Sequence, residues 1–248
     1  AVVDSTGRIK GQLQSTVPEP GDSVRLTIDP SVQAAGEAGL GALGLPGGFV
    51  AMDVNNGEIL GMGSAPTFDP AIFTRSQADA LFDEDLGAPM FNRAISSNYP
   101  AGSIYKPITA VAALDSGKVT PSTVVNDPGE VTIADQTFTN AGSEAHGPVD
   151  LVRSLEVSSD VYYYLLGAKM NGTDSLQKGS SECGIGQPTG IDLPGESSGL
   201  LPTPEWRNQL YKEGNTDRPW AIGDNIQLAI GQGDLQTDPL QMATAYAA

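Results

Sequence analysis

A chain of 248 residues with 39% hydrophobic and 17% charged residues has the size and composition of one large folded domain and not of a disordered segment. Its 13 Lys+Arg against 30 Asp+Glu leave a formal net charge of -17, which argues against a nucleic-acid or anionic-membrane surface. One cysteine, Cys183, excludes an intrachain disulfide and a cysteine-cluster zinc site, and one histidine, His146, excludes a multi-histidine metal site.

Residues 1–22 are polar and rich in turn formers, and they end in the Pro/Gly punctuation VPEPGD, which reads as a linker. The opening AVVDSTGRIKGQ reads as the middle of a longer chain. SVRLTID (23–29) alternates like a short strand. Asp29 and Pro30 then open a helix over 30–43, with proline in the first turn, where its missing N–H costs nothing. Over 47–64 two β-prone runs flank Asn55-Asn56-Gly57, residues that accept the left-handed backbone of a tight hairpin. Residues 65–98 read as loop and short helix.

An apolar helix over 103–116 is stopped by Gly117. Residues 125–142 alternate weakly and predict an irregular excursion with short strands. Two helices follow at 148–159 and 160–170, then a Gly/Pro-rich ordered loop or linker at 184–202. The last pattern, 237–248, is helical and stops without a cap. No run approaches the ~20 apolar residues that span a bilayer. A hairpin followed by a helical middle predicts an α+β architecture, helices packed on an antiparallel sheet that needs more than two strands for stability.

The chemistry concentrates in YPAGSIYKPITAVAAL, residues 99–114. Ser103 and Lys106 lie three apart, so on a helix they share a face. Ile104, Ile108, Val111, Ala112 and Leu114 leave no polar stripe, which predicts a buried helix. A lysine there loses hydration and its pKa falls, and the positive end of the helix dipole acts in the same direction. Such an amine beside a serine hydroxyl is a workable general base. Pro107 deprives the Ser103 carbonyl of its usual helical donor and is tolerated only in a first turn, which places Ser103 at the helix start, where backbone N–H groups can stabilise an oxyanion. A capping serine and a lysine that snorkels to water fit the same spacing. The residues of this stretch alone leave both readings open.

Further segments, in order, complete a family pattern. YPAGSIYKPITAVAAL resembles the Ser-x-x-Lys segment of the penicillin-binding protein transpeptidases, and LEVSSDVYYYLLG resembles their Ser-x-Asn segment. GIGQPTGIDLPGE and GDNIQLAIGQGDLQTDPLQMATAYAA resemble the stretches that precede the third motif in class B, high-molecular-mass members. LTIDPSVQAAGEAGL and GGFVAMDVNNGEILGMGSAPTFDP resemble the start of the same domain.

The resemblance covers residues 23–248, with 1–22 as a linker or the end of an N-terminal pedestal domain. It implies the α+β penicillin-binding/serine β-lactamase-like fold, an antiparallel sheet flanked by a helical subdomain.

By the resemblance, Ser103 attacks the D-Ala-D-Ala carbonyl of a peptidoglycan stem peptide, Lys106 takes its proton, Ser158 relays a proton to the leaving group, and Asp160 holds the place of the motif's asparagine. Gly102, Ser159, Gln232 and Gly233 are the expected substrate contacts. No metal or organic cofactor is implied. The expected partners are stem peptides, β-lactam antibiotics and proteins of the cell-wall synthesis machinery, with no nucleic acid. The expected location is the outer face of the cell membrane, through an N-terminal anchor not contained in these residues.

Two departures stand out. Asp160 replaces asparagine, and as an acceptor it can pair with Lys106 and raise the lysine's pKa against the effect of burial. No Lys-Thr-Gly occurs in the 248 residues, and a domain incomplete at its C-terminus is the expectation. A serine β-lactamase or β-lactam sensor of the same superfamily, and a non-catalytic scaffold that keeps the fold, remain the alternative functions.

Other residues carry structural readings. Tyr162, Tyr163 and Tyr164 are expected to pack behind Ser158, Trp206 and Trp220 to lie in loops, and Asp53 and Glu58 to be solvated. His146 is expected to serve the surface or the scaffold, and Cys183 to be a small buried filler or an idle thiol.

Overall fold

Asp29 starts the first helix as the residues predict: its carboxylate accepts the N–H groups of Ser31 (2.7 Å) and Val32 (3.2 Å). The structure, a computed structural model, describes residues 2–11, 21–74, 78–85 and 87–248. In chain order its elements are β1 (Val2–Val3), β2 (Ile9–Gly11), α1 (Pro30–Leu43), β3 (Gly47–Met52), β4 (Ile59–Ala65), α2 (Lys106–Asp115), β5 (Val125–Asp127), β6 (Glu130–Ile133), β7 (Gln136–Thr139), β8 (Gly147–Val149), α3 (Leu151–Glu156), α4 (Asp160–Met170), α5 (Ser175–Glu182), α6 (Pro204–Lys212), α7 (Ile222–Ala229) and α8 (Pro239–Ala247). Short 3₁₀ turns connect several of them, including Gly102–Tyr105 directly ahead of α2. The α+β class holds.

β3 and β4 form the predicted hairpin, with Asp53 accepting the backbone N–H of Asn55 (2.9 Å) to close the turn. Its two faces follow the period of two. Phe49 faces α1 across Gly61 and Gly63, whose missing side chains leave room for the ring. On the alternate positions Val50, Met52 and Met62 pack with Leu240 of α8 and with Ala94 and Ile95. The sheet is thus covered by one helix on each side.

Strand pairs β1–β2, β5–β8 and β6–β7 are also two-stranded and antiparallel, so among the described residues no larger sheet forms. Residues 23–29, expected as a strand, run extended without joining the sheet. Thr27 donates to the Ile59 carbonyl (2.6 Å) and the Asp29 N–H to the Leu60 carbonyl (2.8 Å), but two bonds do not make a ladder. Residues 1 and 12–20 of the expected linker lie outside the described residues.

The larger core is helical. α2, α4, α5 and α7 surround Tyr105, Ile108, Tyr162, Tyr163, Leu166, Met170, Leu176 and Ile226, all buried. Each such side chain contributes about 1.5–3 kcal/mol of transfer free energy. The three consecutive tyrosines pack as expected. Gly167 lets α4 and α7 touch, since a Cβ there would collide with the Asn225 carbonyl and Ala229. Asn225 fixes that crossing by donating to the Gly167 carbonyl (2.6 Å).

Several expectations need correction. The helix expected over 103–116 is not buried on all sides: Ile104, in the 3₁₀ turn, and Val111, in α2, are each about half exposed. The helix expected at 148–159 begins only at Leu151, because 147–149 pair with β5 and Asp150 caps the helix through the Arg153 N–H (2.8 Å). Trp206 lies in α6 and not in a loop. Thr203 caps that helix and Pro204 enters its first turn, but PEWRNQLYK has too few apolar residues to show a helical period. Cys183 is only half-buried.

Candidate active site

The stretch around Ser103 is held from behind before its chemistry begins. Tyr99 and Thr237 exchange backbone hydrogen bonds (2.8 Å each), and the Gly102 N–H donates to the Gly231 carbonyl (2.8 Å). Gly231 has φ +73°, and a Cβ there would overlap the Gly102 carbonyl and Tyr105, so only glycine permits this approach. The 3₁₀ turn Gly102–Tyr105 then delivers the chain to α2. Pro107 cannot serve the Ser103 carbonyl, and the Lys106 N–H serves it instead.

The turn separates the two residues of the motif. Ser103 is exposed, and Lys106 is 1% exposed. The Lys106 Nζ donates to the Ser158 carbonyl (2.7 Å) and to the Ser158 hydroxyl (3.0 Å), and it pairs with the Asp160 carboxylate at 2.6 Å. Three acceptors meet three N–H donors, and the ring of Tyr163 lies 5.6 Å away. The Ser103 hydroxyl is not among the partners of Nζ in this arrangement.

Burial lowers the Lys106 pKa; the Asp160 hydrogen bond and charge, and the charge of Asp127, oppose it without cancelling it. The opposition by Asp160 expected from the sequence is present, and burial prevails over it. An amine that gives up its proton more readily than an exposed lysine sits one turn behind an accessible hydroxyl.

Ser158 reaches Lys106 with both its carbonyl and its hydroxyl because its backbone is left-handed, at φ +55°. A non-glycine residue held there stores strain and persists only when its surroundings enforce it. The turn is closed by Ser158 N–H to the Leu155 carbonyl (3.3 Å) and Ser159 N–H to the Ser154 carbonyl (2.9 Å). Asp160 is the first residue of α4, where the helix N-terminus favours its charge.

The remaining expected site residues divide. Gly102 is part of the Ser103 turn with φ +61°, and a Cβ placed on it would meet the Gln232 amide nitrogen at van der Waals distance. Gly233 is exposed with φ +72°, next to Gln232. With Phe138, Trp220 and Gly223 it lines a cavity of about 440 Å³. Ser159 does not fit its expected place among the substrate contacts. It is fully buried, and its hydroxyl caps α4 through the Tyr162 N–H (3.1 Å) while donating to Asp127 (2.5 Å). Asp127 and Asn140 enter the surroundings of the site unannounced, since single polar residues at strand ends carry no local sequence signal.

Comparison with known proteins identifies the family and the fold. The family described as penicillin binding protein transpeptidase domain matches residues 47–248. The peptidoglycan D,D-transpeptidase MrdA of Haemophilus influenzae is 34% identical over 248 residues, which cover 98% of this chain and 37% of that protein. The crystal structure of Pseudomonas aeruginosa PBP2 in complex with WCK 5153 superposes with a TM-score of 0.79 at 35% identity, over 90% of this chain and 50% of that one. PBP2 of Helicobacter pylori in complex with MreC gives a TM-score of 0.80 at 27% identity, over 97% of this chain and 44% of that one. The chain spans well under half the length of the curated relative. By the extent of the family match and by these identities, the chain belongs to the penicillin-binding protein transpeptidases.

Proposed function

We propose that this chain carries the acylation machinery of a class B peptidoglycan D,D-transpeptidase, with residues 23–248 as its transpeptidase segment and 1–22 as a linker or the end of a pedestal domain. The observation that carries the reading is Lys106: a lysine buried to 1% exposure, facing Ser158 and Asp160 and one turn behind an exposed serine. A lysine is almost never fully buried unless it is paired; this paired amine also has its pKa lowered by burial and lies one turn from an exposed hydroxyl, which is the arrangement a general base needs.

In this reading the Ser103 Oγ attacks the carbonyl carbon of the penultimate D-alanine while its proton passes to the neutral amine of Lys106. The first-turn N–H of Ser103 helps to stabilise the oxyanion. Lys106 and Ser158 hand the proton to the departing nitrogen as the C–N bond breaks, and terminal D-alanine leaves. An amino group of a second stem peptide then attacks the ester, gives its proton to the lysine, and releases Ser103 as the cross-link forms. Asp160 orients the lysine throughout. Gly102, Gln232 and Gly233 border the substrate beside Ser103, whereas Ser159 supports the turn from within. β-Lactams acylate Ser103 by offering a carbonyl in the same place.

Membership of the family and the MreC complex of the H. pylori relative support two further parts of the proposal: a catalytic segment on the outer face of the cell membrane, and partners in the cell-wall synthesis machinery. Among the described residues no helix is long and apolar enough to cross a membrane.

The test is labelling of the full-length protein with a fluorescent penicillin. Ser103→Ala and Lys106→Ala are expected to abolish the label while circular dichroism stays unchanged. Labelling of Lys106→Ala at the wild-type rate would exclude it as the base. Loss of the acyl group within seconds would point to a β-lactamase instead.

A further inference from the structure

Behind the Ser158 turn lies a buried polar cluster that the reaction as described does not use. Asp127, at the end of β5, is 0% exposed, and its carboxylate makes four hydrogen-bond contacts with three donor groups. They come from the Gly129 N–H (2.9 Å), from the Asn140 Nδ2 to both carboxylate oxygens (2.9 Å each) and from the Ser159 hydroxyl (2.5 Å). Asn140, 4% exposed, uses its Oδ1 to accept the Val161 N–H (2.9 Å), and its Nδ2 also donates to the Glu144 carbonyl (2.7 Å). The Ser159 hydroxyl, having given its hydrogen to Asp127, accepts the Tyr162 N–H (3.1 Å). Two consecutive N–H groups in the first turn of α4 are therefore tied to one carboxylate, one through Ser159 and one through Asn140.

This cluster sits where restraint is needed. Ser158 immediately precedes Ser159 and holds its strained φ of +55°; Asp160 immediately follows. Both reach Lys106, at 3.0 Å and 2.6 Å. A turn free to relax toward ordinary backbone angles would withdraw the Ser158 hydroxyl and carbonyl from the amine. A buried carboxylate is a costly way to fill space, because its desolvation runs to several kcal/mol unless donors converge on it. Here three do, the Gly129 N–H, the Asn140 amide and the Ser159 hydroxyl, and hydrogen bonds to an ionised acceptor are stronger and more directional than neutral ones. Burial pushes the Asp127 carboxyl up, but the bonds from Ser159, Asn140 and Gly129 outweigh it and hold the group below the usual range, so it remains charged.

We infer that Asp127 is a positioning residue for acylation: through the Ser159 hydroxyl and the Asn140 amide it locks the Ser158–Asp160 turn in the shape that presents Ser158 and Asp160 to Lys106. The inference rests on the reading of Ser103 and Lys106 as nucleophile and base. Asp127 touches no reacting atom. Its effect is on geometry, and misplacement of catalytic groups by about 1 Å can cost on the order of 100-fold in rate.

The experiment separates the non-covalent binding constant of a penicillin from its acylation rate constant, by stopped-flow labelling of the full-length protein. Asp127→Asn keeps the shape but offers N–H groups where Asn140 and Ser159 also donate. Ser159→Ala removes the link and leaves Asp127 its other donors, so it provides a folded variant if Asp127→Asn is unstable. Each is expected to lower the acylation rate constant about 10- to 100-fold with unchanged non-covalent affinity. Because both cut one connection, the double variant is expected to be no slower than the slower single variant. Unchanged rate constants in Ser159→Ala, losses that only track the unfolded fraction, or two losses that multiply would each overturn the inference. Ser103→Ala runs in parallel: if it still labels, the acyl-enzyme reading itself fails, whatever the Asp127 variants do.

Discussion

Asp238 provides a test of the scaffold behind Ser103 that is independent of the chemistry. It caps α8 by accepting the Gln241 N–H (2.8 Å) with Oδ1, while Oδ2 is buried without a partner and the residue is 1% exposed. Burial, reinforced by the charge of Glu196, pushes its pKa from 3.8 up to about 6, against the opposing N–H groups of Gln241 and Leu240. An acid whose folded-state pKa is raised binds more protons folded than unfolded between those values. Stability therefore falls as pH rises from about 4 to about 6 and stays reduced above. At about 1.4 kcal/mol per pH unit the gap amounts to about 3 kcal/mol at neutral pH.

Asp238→Asn cannot ionise and keeps an oxygen for the Gln241 N–H. Differential scanning fluorimetry of the full-length protein is expected to show Tm raised by about 6–12 °C at pH 7.5, given about 2–4 °C per kcal/mol, and by almost nothing at pH 4. The next residue back, Thr237, pairs with Tyr99 four residues before Ser103, so penicillin labelling reports whether the gain disturbs the site. A Tm at pH 7.5 equal to or below wild type, or a gain of the same size at pH 4, would refute the reasoning.

Two further perturbations address the site directly. Asp160→Asn removes one of the two negative charges facing Lys106 and leaves Asp127, the Ser158 oxygens and the Tyr163 ring in place. With that charge gone burial lowers the lysine's pKa further, and the acid limb of the acylation pH profile should move to lower pH. An unmoved limb, or one that moves up, would show that Lys106 is not the group that titrates. Gly231→Ala should destabilise the protein by at least about 1–3 kcal/mol and depress acylation, since the left-handed backbone and the contact with Gly102 both exclude a Cβ. Normal labelling and an unchanged Tm in that variant would show that the Gly102–Gly231 contact is dispensable.

Local signals were legible where one residue type answers one local need. Asp29 and Pro30 announce α1, Asn55-Asn56-Gly57 announces the hairpin, and Pro107 confines Ser103 to a first turn. α5 and α6 were illegible, because their helical stretches have few apolar residues and show no period. The strand expected at 23–29 did not form, because alternation marks a segment that can enter a sheet but does not fix a register: only Thr27 and Asp29 bond to the edge of β4.

At the site, the sequence alone determined the family and marked Ser103 and Lys106 as its proposed pair, because several segments recur in the family's order and three residues span only one turn. Tertiary structure alone decided what surrounds that pair. Ser158 lies 52 residues from Lys106, Asp127 lies 32 from Ser159, and Gly231 lies well over 100 from Gly102. Hydrogen bonds across such separations leave no local pattern in composition or period. They also reverse one expectation: Ser159, named by its motif as a substrate contact, turns inward because a buried carboxylate and the first turn of α4 both claim its hydroxyl. The motif identifies which side chains can react; the packing of β5, β7 and α4 around it fixes the direction in which each one points.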